Sequence, residues 1–190
     1  LTVEKVGKVD LPAPDIFFGN DKMEVTDTDI YKSDQAFTQG QMITVTGIDN
    51  LNEWWIDPDF FEKQSDGALK FLPINGDYRV TANAVLKYFS VMALKDGKPA
   101  KLQDDGTGAI WAIGKGIGKP SVTSSEVGWE PSKALCLAQV ASKKYQLTLK
   151  AGETLKTSGD PEVISFKFFH QNDWGGEFGN YWGQIGRAHV

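Results

Sequence analysis

The residues best suited to chemistry in this chain are two tryptophans and a lysine in its second half: Trp129, Lys167 and Trp174. A pyranose ring has a face of C–H groups and a rim of hydroxyls. An exposed indole offers that face a flat, rigid apolar surface. Lys, Gln, Asn and Asp side chains can hydrogen-bond the rim. Trp129 lies between Gly128 and Pro131, in a segment that reads as a loop. Trp174 follows the apolar run at 163–169 and precedes Gly175-Gly176. In that run Ile164, Phe166 and Phe168 share one face and Lys167 the other. The apolar set is expected in the core and Lys167 in water. The two rings could instead be structural, because small sandwiches often bury a Trp. Sugars are well hydrated, so such a site is expected to bind with a Kd of roughly 10 μM to 1 mM, about −7 to −4 kcal/mol.

Other groups suggest chemistry and then fail on spacing. Gly114-Lys115-Gly116-Ile117-Gly118-Lys119-Pro120-Ser121 evokes a nucleotide loop. A phosphate-binding loop needs Ser or Thr directly after its Lys, and Pro120 stands there. The dinucleotide fingerprint needs a third Gly where Lys119 stands. These glycines are expected to form a loop after a strand at 109–113. Asp57, Asp59, Glu62 and Asp66 make an acidic segment. Glycosidase carboxylates must flank a bond at a set distance in a cleft. Four acids in one short stretch read instead as a solvated surface loop, with Asp57 capping a single helical turn that starts at Pro58. No EF-hand spacing is present. His170 has no second His or Cys at ligand spacing. Cys136 is the only cysteine, so no intrachain disulfide is possible, and it is expected to be a buried small hydrophobe. No catalytic set, metal site or cofactor is therefore expected.

The elements that must position these residues are short strands. The chain has 190 residues, six Trp and 20 Gly, and no long helical pattern. Its net charge is −5 with Lys and Arg scattered, so nucleic acid is not an expected partner. No apolar run reaches the ~20 residues of a membrane-spanning helix. Strand patterns fall at 16–18, 41–48, 69–72, 86–94, 109–113, 134–140, 143–149 and 163–169. Asn75-Gly76 signals a hairpin turn. This spacing predicts an all-β chain of two tandem small β-sandwich, Ig-like domains. The expected division is 1–96, a linker or hairpin at 97–108, and a second sandwich at 109–184. Trp111 is expected in the core of the second domain. Trp54 and Trp55 are adjacent, so one should point inward and one outward. Residues 185–190 (Ile-Gly-Arg-Ala-His-Val) resemble one reading frame of a common sequencing adapter and are set aside, His189 with them. Both ends are expected to be truncated, and the second sandwich to lack C-terminal strands.

One ordered set of motifs carries a family resemblance. Gly128-Trp129-Glu130-Pro131-Ser132-Lys133-Ala134, then Tyr145-Gln146-Leu147-Thr148-Leu149-Lys150-Ala151-Gly152, then Phe166-Lys167-Phe168 and Trp174 resemble a starch-binding β-sandwich of the family 20 type. The stretch from Phe166 to Gly179 is more similar to the SusE/SusF class of Bacteroides surface lipoproteins. The resemblance covers about residues 110–179. It implies glucan binding through Trp129, Lys167 and Trp174. It also implies an outer-membrane-anchored, cell-surface location, with oligosaccharide or polysaccharide and the components of a glycan transporter as partners. The glycine segment and residues 153–162 depart from the simplest pattern. The first half resembles, less closely, the Ig-like domains that precede such modules. The expected function is non-catalytic polysaccharide binding in support of uptake. The alternatives are a spacer or protein-docking module, and an accessory domain of a glycoside hydrolase.

Overall fold

A computed structural model describes residues 13–178, and the tail at 185–190 lies outside the described residues, as do Tyr181 and Trp182. The chain is all-β, with two β-sandwich domains in tandem. The first domain runs through β1 (Phe17–Phe18), β2 (Asp21–Lys22), β3 (Glu24–Asp27), β4 (Ile30–Phe37), β5 (Met42–Ile43), β6 (Val45–Thr46), β7 (Phe61–Lys63), β8 (Leu69–Phe71), β9 (Gly76–Asn83), β10 (Tyr88–Lys95) and β11 (Lys98–Pro99). A five-stranded antiparallel sheet has the order β11-β10-β9-β4-β3. Two three-stranded sheets, β2-β1-β6 and β5-β8-β7, complete the domain.

Register explains the core. Tyr31 pairs with Ala82, which pairs with Phe89, and Ser33 pairs with Val80, which pairs with Val91. Directly opposed residues share a face, so each row is buried together. Phe18 packs on Phe37, Phe61 and Phe89 with ring centroids 5.2–6.1 Å apart. Trp54 is buried and stacks on Phe89 at 4.7 Å, while Trp55 is half-buried, the division expected of neighbours in extended backbone.

Several boundaries differ from expectation for a common reason. The single strand expected at 41–48 breaks at Thr44: β5 joins β8 and β6 joins β1, in different sheets. Asn75-Gly76 is a corner between sheets rather than a hairpin, since β8 and β9 do not pair. Its Asn75 side chain accepts a hydrogen bond from the Gln39 N–H at 2.8 Å. The tight hairpin lies instead at Asp96-Gly97, both at positive φ (52° and 72°), joining β10 to β11.

The second domain is organised by one strand, β12 (Trp111–Gly118), followed by a short α1 (Val122–Ser125), β13 (Glu126–Gly128), β14 (Leu135–Cys136), β15 (Ala138–Ala141), β16 (Lys144–Gln146) and β17 (Ser165–Phe169). The glycine segment 114–118 is therefore not a loop but the second half of β12. It pairs with β13 on one edge and β17 on the other. The small residues let neighbours approach. A Cβ on Gly114, whose φ is 148°, would meet the Phe166 Cα and the Ser165 carbonyl oxygen, each at 2.3 Å. The apolar run at 134–140 likewise divides between β14 and β15, which sit in different sheets.

The two domains share one apolar core. The fully buried Trp111 donates its indole N–H to the Ala100 carbonyl at 3.0 Å. Ile74 N–H reaches Gln139 O at 2.8 Å, and Leu102 N–H reaches His170 O at 2.9 Å. Cys136 is buried at this junction, and Ala93 N–H approaches its sulfur at 3.5 Å. Burial pushes the thiol up to about 12, so little reactive thiolate forms at neutral pH. Native protein at pH 8 should therefore titrate no thiol with a disulfide reagent such as dithionitrobenzoate. One thiol should appear in guanidinium. Native labelling at the rate of a free thiol would show that the junction opens.

Candidate functional site

Topology brings the two expected tryptophans together. β13 and β17 flank β12 on opposite edges, and both run antiparallel to it. Their C-terminal ends therefore lie toward the same end of β12. Trp129 follows β13 directly, after Gly128 at φ 59°, and leads into a 3₁₀ turn at Pro131–Lys133. Trp174 sits in a turn beyond β17, where the chain reverses and returns. His170 N–H donates to Gly176 O at 2.6 Å, and Phe178 N–H to Phe168 O at 3.0 Å. Within that turn the Gln171 side-chain amide donates to Trp174 O at 2.6 Å, and Trp174 N–H donates to the Asp173 carboxylate at 2.7 Å.

The two indoles lie 6.4 Å apart with 28° between their planes. Trp129 is 39% exposed and Trp174 is 49% exposed. Trp174 also meets Phe169 edge-on at 5.9 Å. Phe169 is 1% exposed and packs in the core. The outer rings are thus tied through one buried ring to the sheet. Nearby, the Asn172 side-chain oxygen is buried without a hydrogen-bond partner.

The third expected residue is placed differently. Lys167 is exposed as expected, but its ammonium is engaged by Glu177 at 2.6 Å, on the returning segment. The parity expected for its strand is also corrected. Ile164 is 44% exposed, and Phe166 and Phe168 are only half-buried. The deeply buried residue is Phe169, on the same face as Lys167, because the register sets it against Trp111 and sets Lys167 against Ile113. Alternation at 163–169 favours the Ile164, Phe166 and Phe168 face, since the other carries Ser165 and Lys167, and it is the pairing of Phe169 with Trp111 that makes the mixed face the buried one at its end. Phe169 was hidden by its place beside a lysine and a serine on the polar-looking face, and Glu177 by the chain reversal that returns it to Lys167.

The acidic segment requires the largest correction. Glu62 and Asp66 are exposed, but Asp57 and Asp59 are buried. Both carboxylates close on Lys119, itself buried, which comes from the other domain. The Lys119 ammonium lies 2.8 Å from each Asp57 oxygen and 2.7 Å from Asp59 Oδ2. Asp59 also accepts from the Thr148 N–H at 2.7 Å, the Thr148 hydroxyl at 2.6 Å and the Gln146 amide at 2.8 Å. The turn after Asp57 forms as expected: Phe60 and Phe61 N–H donate to Asp57 O, and Asp59 N–H donates to the Asp57 carboxylate. Burial pushes the Asp59 carboxyl up, but Lys119 and Thr148 outweigh it and hold the group below the usual carboxylate range. Burial leaves the Asp57 carboxyl above that range despite Lys119, and Asp59 adds to the rise. Among the described residues no group of three or more His, Cys, Asp or Glu side chains is arranged to hold a metal ion. No helix among them is long and apolar enough to cross a membrane.

With this geometry in view, comparison with known families divides the chain in two. Residues 9–102 match the family described as Domain of unknown function (DUF5125). Residues 105–187 match Domain of unknown function (DUF5121). The protein is a tandem pair of these two domains. No curated protein and no solved structure matches the chain.

The buried ion network should govern stability. Removing one partner of a buried pair strands the other charge, at a cost of about 3–5 kcal/mol. Lys119→Met, which strands both aspartates, should lose about that much in denaturant unfolding, and Asp59→Asn, which leaves Lys119 paired with Asp57, should lose less. The pH dependence has a definite sign. The depressed Asp59 carboxyl stabilises the fold above the unfolded aspartate value, about 3.9. That contribution fades as pH falls from there through the lower folded value. Asp57, being raised, acts oppositely and loses its contribution as pH rises through its folded value. Asp59→Asn should therefore flatten the acid limb of the stability profile below about pH 4. An unchanged limb would remove Asp59 from the account.

Proposed function

We propose that this chain is a non-catalytic binder of neutral polysaccharide, glucan included, at a bacterial cell surface, where it supports glycan uptake in the manner of SusE/SusF-type lipoproteins. The observation that carries the reading is the Trp129–Trp174 pair: two exposed indoles 6.4 Å apart, one braced on the core through Phe169. Water leaves an exposed indole face readily, and the C–H face of a pyranose is a matching surface. Ring anchors with few rotatable bonds lose little entropy on binding. Around them Gln171, Asn172, Asp173, Lys167 and Glu177 supply donors and acceptors of the kind that hydroxyl rims need. The Lys167–Glu177 pair is half exposed, so its hydrogen-bonding capacity remains accessible to a ligand.

Isothermal titration against a panel of neutral glycans tests this. Wild type should bind at least one with a Kd of roughly 10 μM to 1 mM. Trp129→Ala/Trp174→Ala should weaken that binding by at least about tenfold, or ~1.4 kcal/mol. Lys167→Ala should weaken it by only about two- to fivefold. Circular dichroism should show both variants folded. An unaffected double variant would overturn the site. A protein-docking module would expose the same rings yet give no saturable saccharide isotherm.

A further inference from the structure

A second feature lies between the domains and was not signalled by any motif. A cleft of about 700 Å³ separates β10 of the first domain from α1, β13, the 3₁₀ turn and β14 of the second. Its first wall carries Trp55, Tyr88 and Ser90, and its second carries Ser124, Ser132 and Lys133. At its base lie Asp57 and Lys119, already paired with each other.

We propose that this interdomain cleft is a second subsite for the same neutral glycan, with Trp55 and Tyr88 as its stacking groups and the serine hydroxyls of the opposite wall as its rim contacts. This rests on the glycan reading of the Trp129–Trp174 pair and extends it to chains several sugar units long.

Three observations carry it. The first is rigidity. The domains share a core and are joined by the buried Asp57–Lys119–Asp59 bonds, so the cleft is part of one packed body. Preformed concave sites between domains are a usual place for small ligands. The backbone at Trp55 is held: its main-chain N–H donates to Lys87 O at 2.8 Å, and its neighbour Trp54 is stacked on Phe89. The second is charge. Lys133 is paired with Glu130 at 2.9 Å and Lys119 with Asp57, leaving Glu126 as the remaining charged lining group. Its carboxylate accepts from the Gly116 N–H and the Ser158 hydroxyl, and these bonds hold it ionised. Such a wall offers no unbalanced positive charge to a phosphate or carboxylate and suits an uncharged polyol. The third is continuity. Gly128 and Glu130, the residues on either side of Trp129, both line the cleft. A chain stacked at Trp129 reaches the cleft across a single backbone segment.

Indole N–H resonances of ¹⁵N-labelled protein test both sites at once, with assignments from single Trp→Phe variants. The probes are glucose and malto-, cello-, xylo- and mannohexaose. At least one hexasaccharide should shift Trp55 together with Trp129 and Trp174, and glucose should shift Trp129 and Trp174 without Trp55. In parallel, Ser132→Trp, an exposed change that fills the cleft, should weaken that hexasaccharide by about tenfold and leave glucose unchanged. Shifts at Trp129 and Trp174 with Trp55 silent and Ser132→Trp equal to wild type would overturn the cleft and leave the outer site standing. Shifts at Trp55 alone would overturn the outer site instead. Silence at all three indoles with every probe would overturn both.

Discussion

A lysine from the second domain, Lys119, is buried between two aspartates from the first, and the rest of the structure is arranged around that constraint. Charges taken out of water must be matched by hydrogen bonds or the fold does not form. Here the matching is spread over both domains. Lys119 stands at the end of β12, Asp57 and Asp59 stand in the turn before β7, and Thr148 and Gln146 complete the Asp59 shell. Separating the domains breaks every Lys119 contact and the Thr148 and Gln146 bonds to Asp59, leaving Asp57 only the Asp59 N–H among these partners. The network therefore acts as a register pin. It fixes the position of β12 against the first domain, and β12 in turn positions β13 and β17, on which the tryptophans depend.

The site is a consequence of that placement. Trp129 and Trp174 are separated by 45 positions in the chain and lie on opposite flanks of β12, yet their rings meet. Antiparallel pairing of β13 and β17 with one strand sends both loops toward the same end, and Phe169 supplies the floor. The same rigidity shapes the space between the domains, since a cleft with shared core behind it keeps its form. The result is a surface of braced aromatics beside a cleft whose lysines are each already paired with a carboxylate.

Some of this was legible beforehand because the relevant signals are local. Gly and Pro around Trp129, and the glycine pair after Trp174, mark chain reversals that place both rings in loops. Trp111 within an apolar strand and Cys136 within an apolar run were read correctly as core. The strands that could not be read are those whose faces lack contrast. β4 (Ile30–Phe37) is a central strand of the large sheet, but its inward row includes Ser33 and its sequence is half polar, so no alternation announces it. In β12 the glycines that admit β17 resemble a turn sequence, because the residue that permits close backbone approach is also the residue of loops.

By itself the sequence determined the all-β class, the tandem division and the placing of two tryptophans in loops; their exposure came from the structure. The class, the division and the loops follow from spacing within about ten residues, where turn chemistry and side-chain alternation act. Only the tertiary structure decided that Asp57 and Asp59 lie inside, that Phe169 rather than Phe168 is the deep residue, and that the two indoles share one rim. Each of those outcomes depends on a partner 60 or more positions away, or on which strand edge receives which neighbour. A carboxylate looks the same in a sequence whether water or a buried ammonium will surround it, and only packing supplies the ammonium.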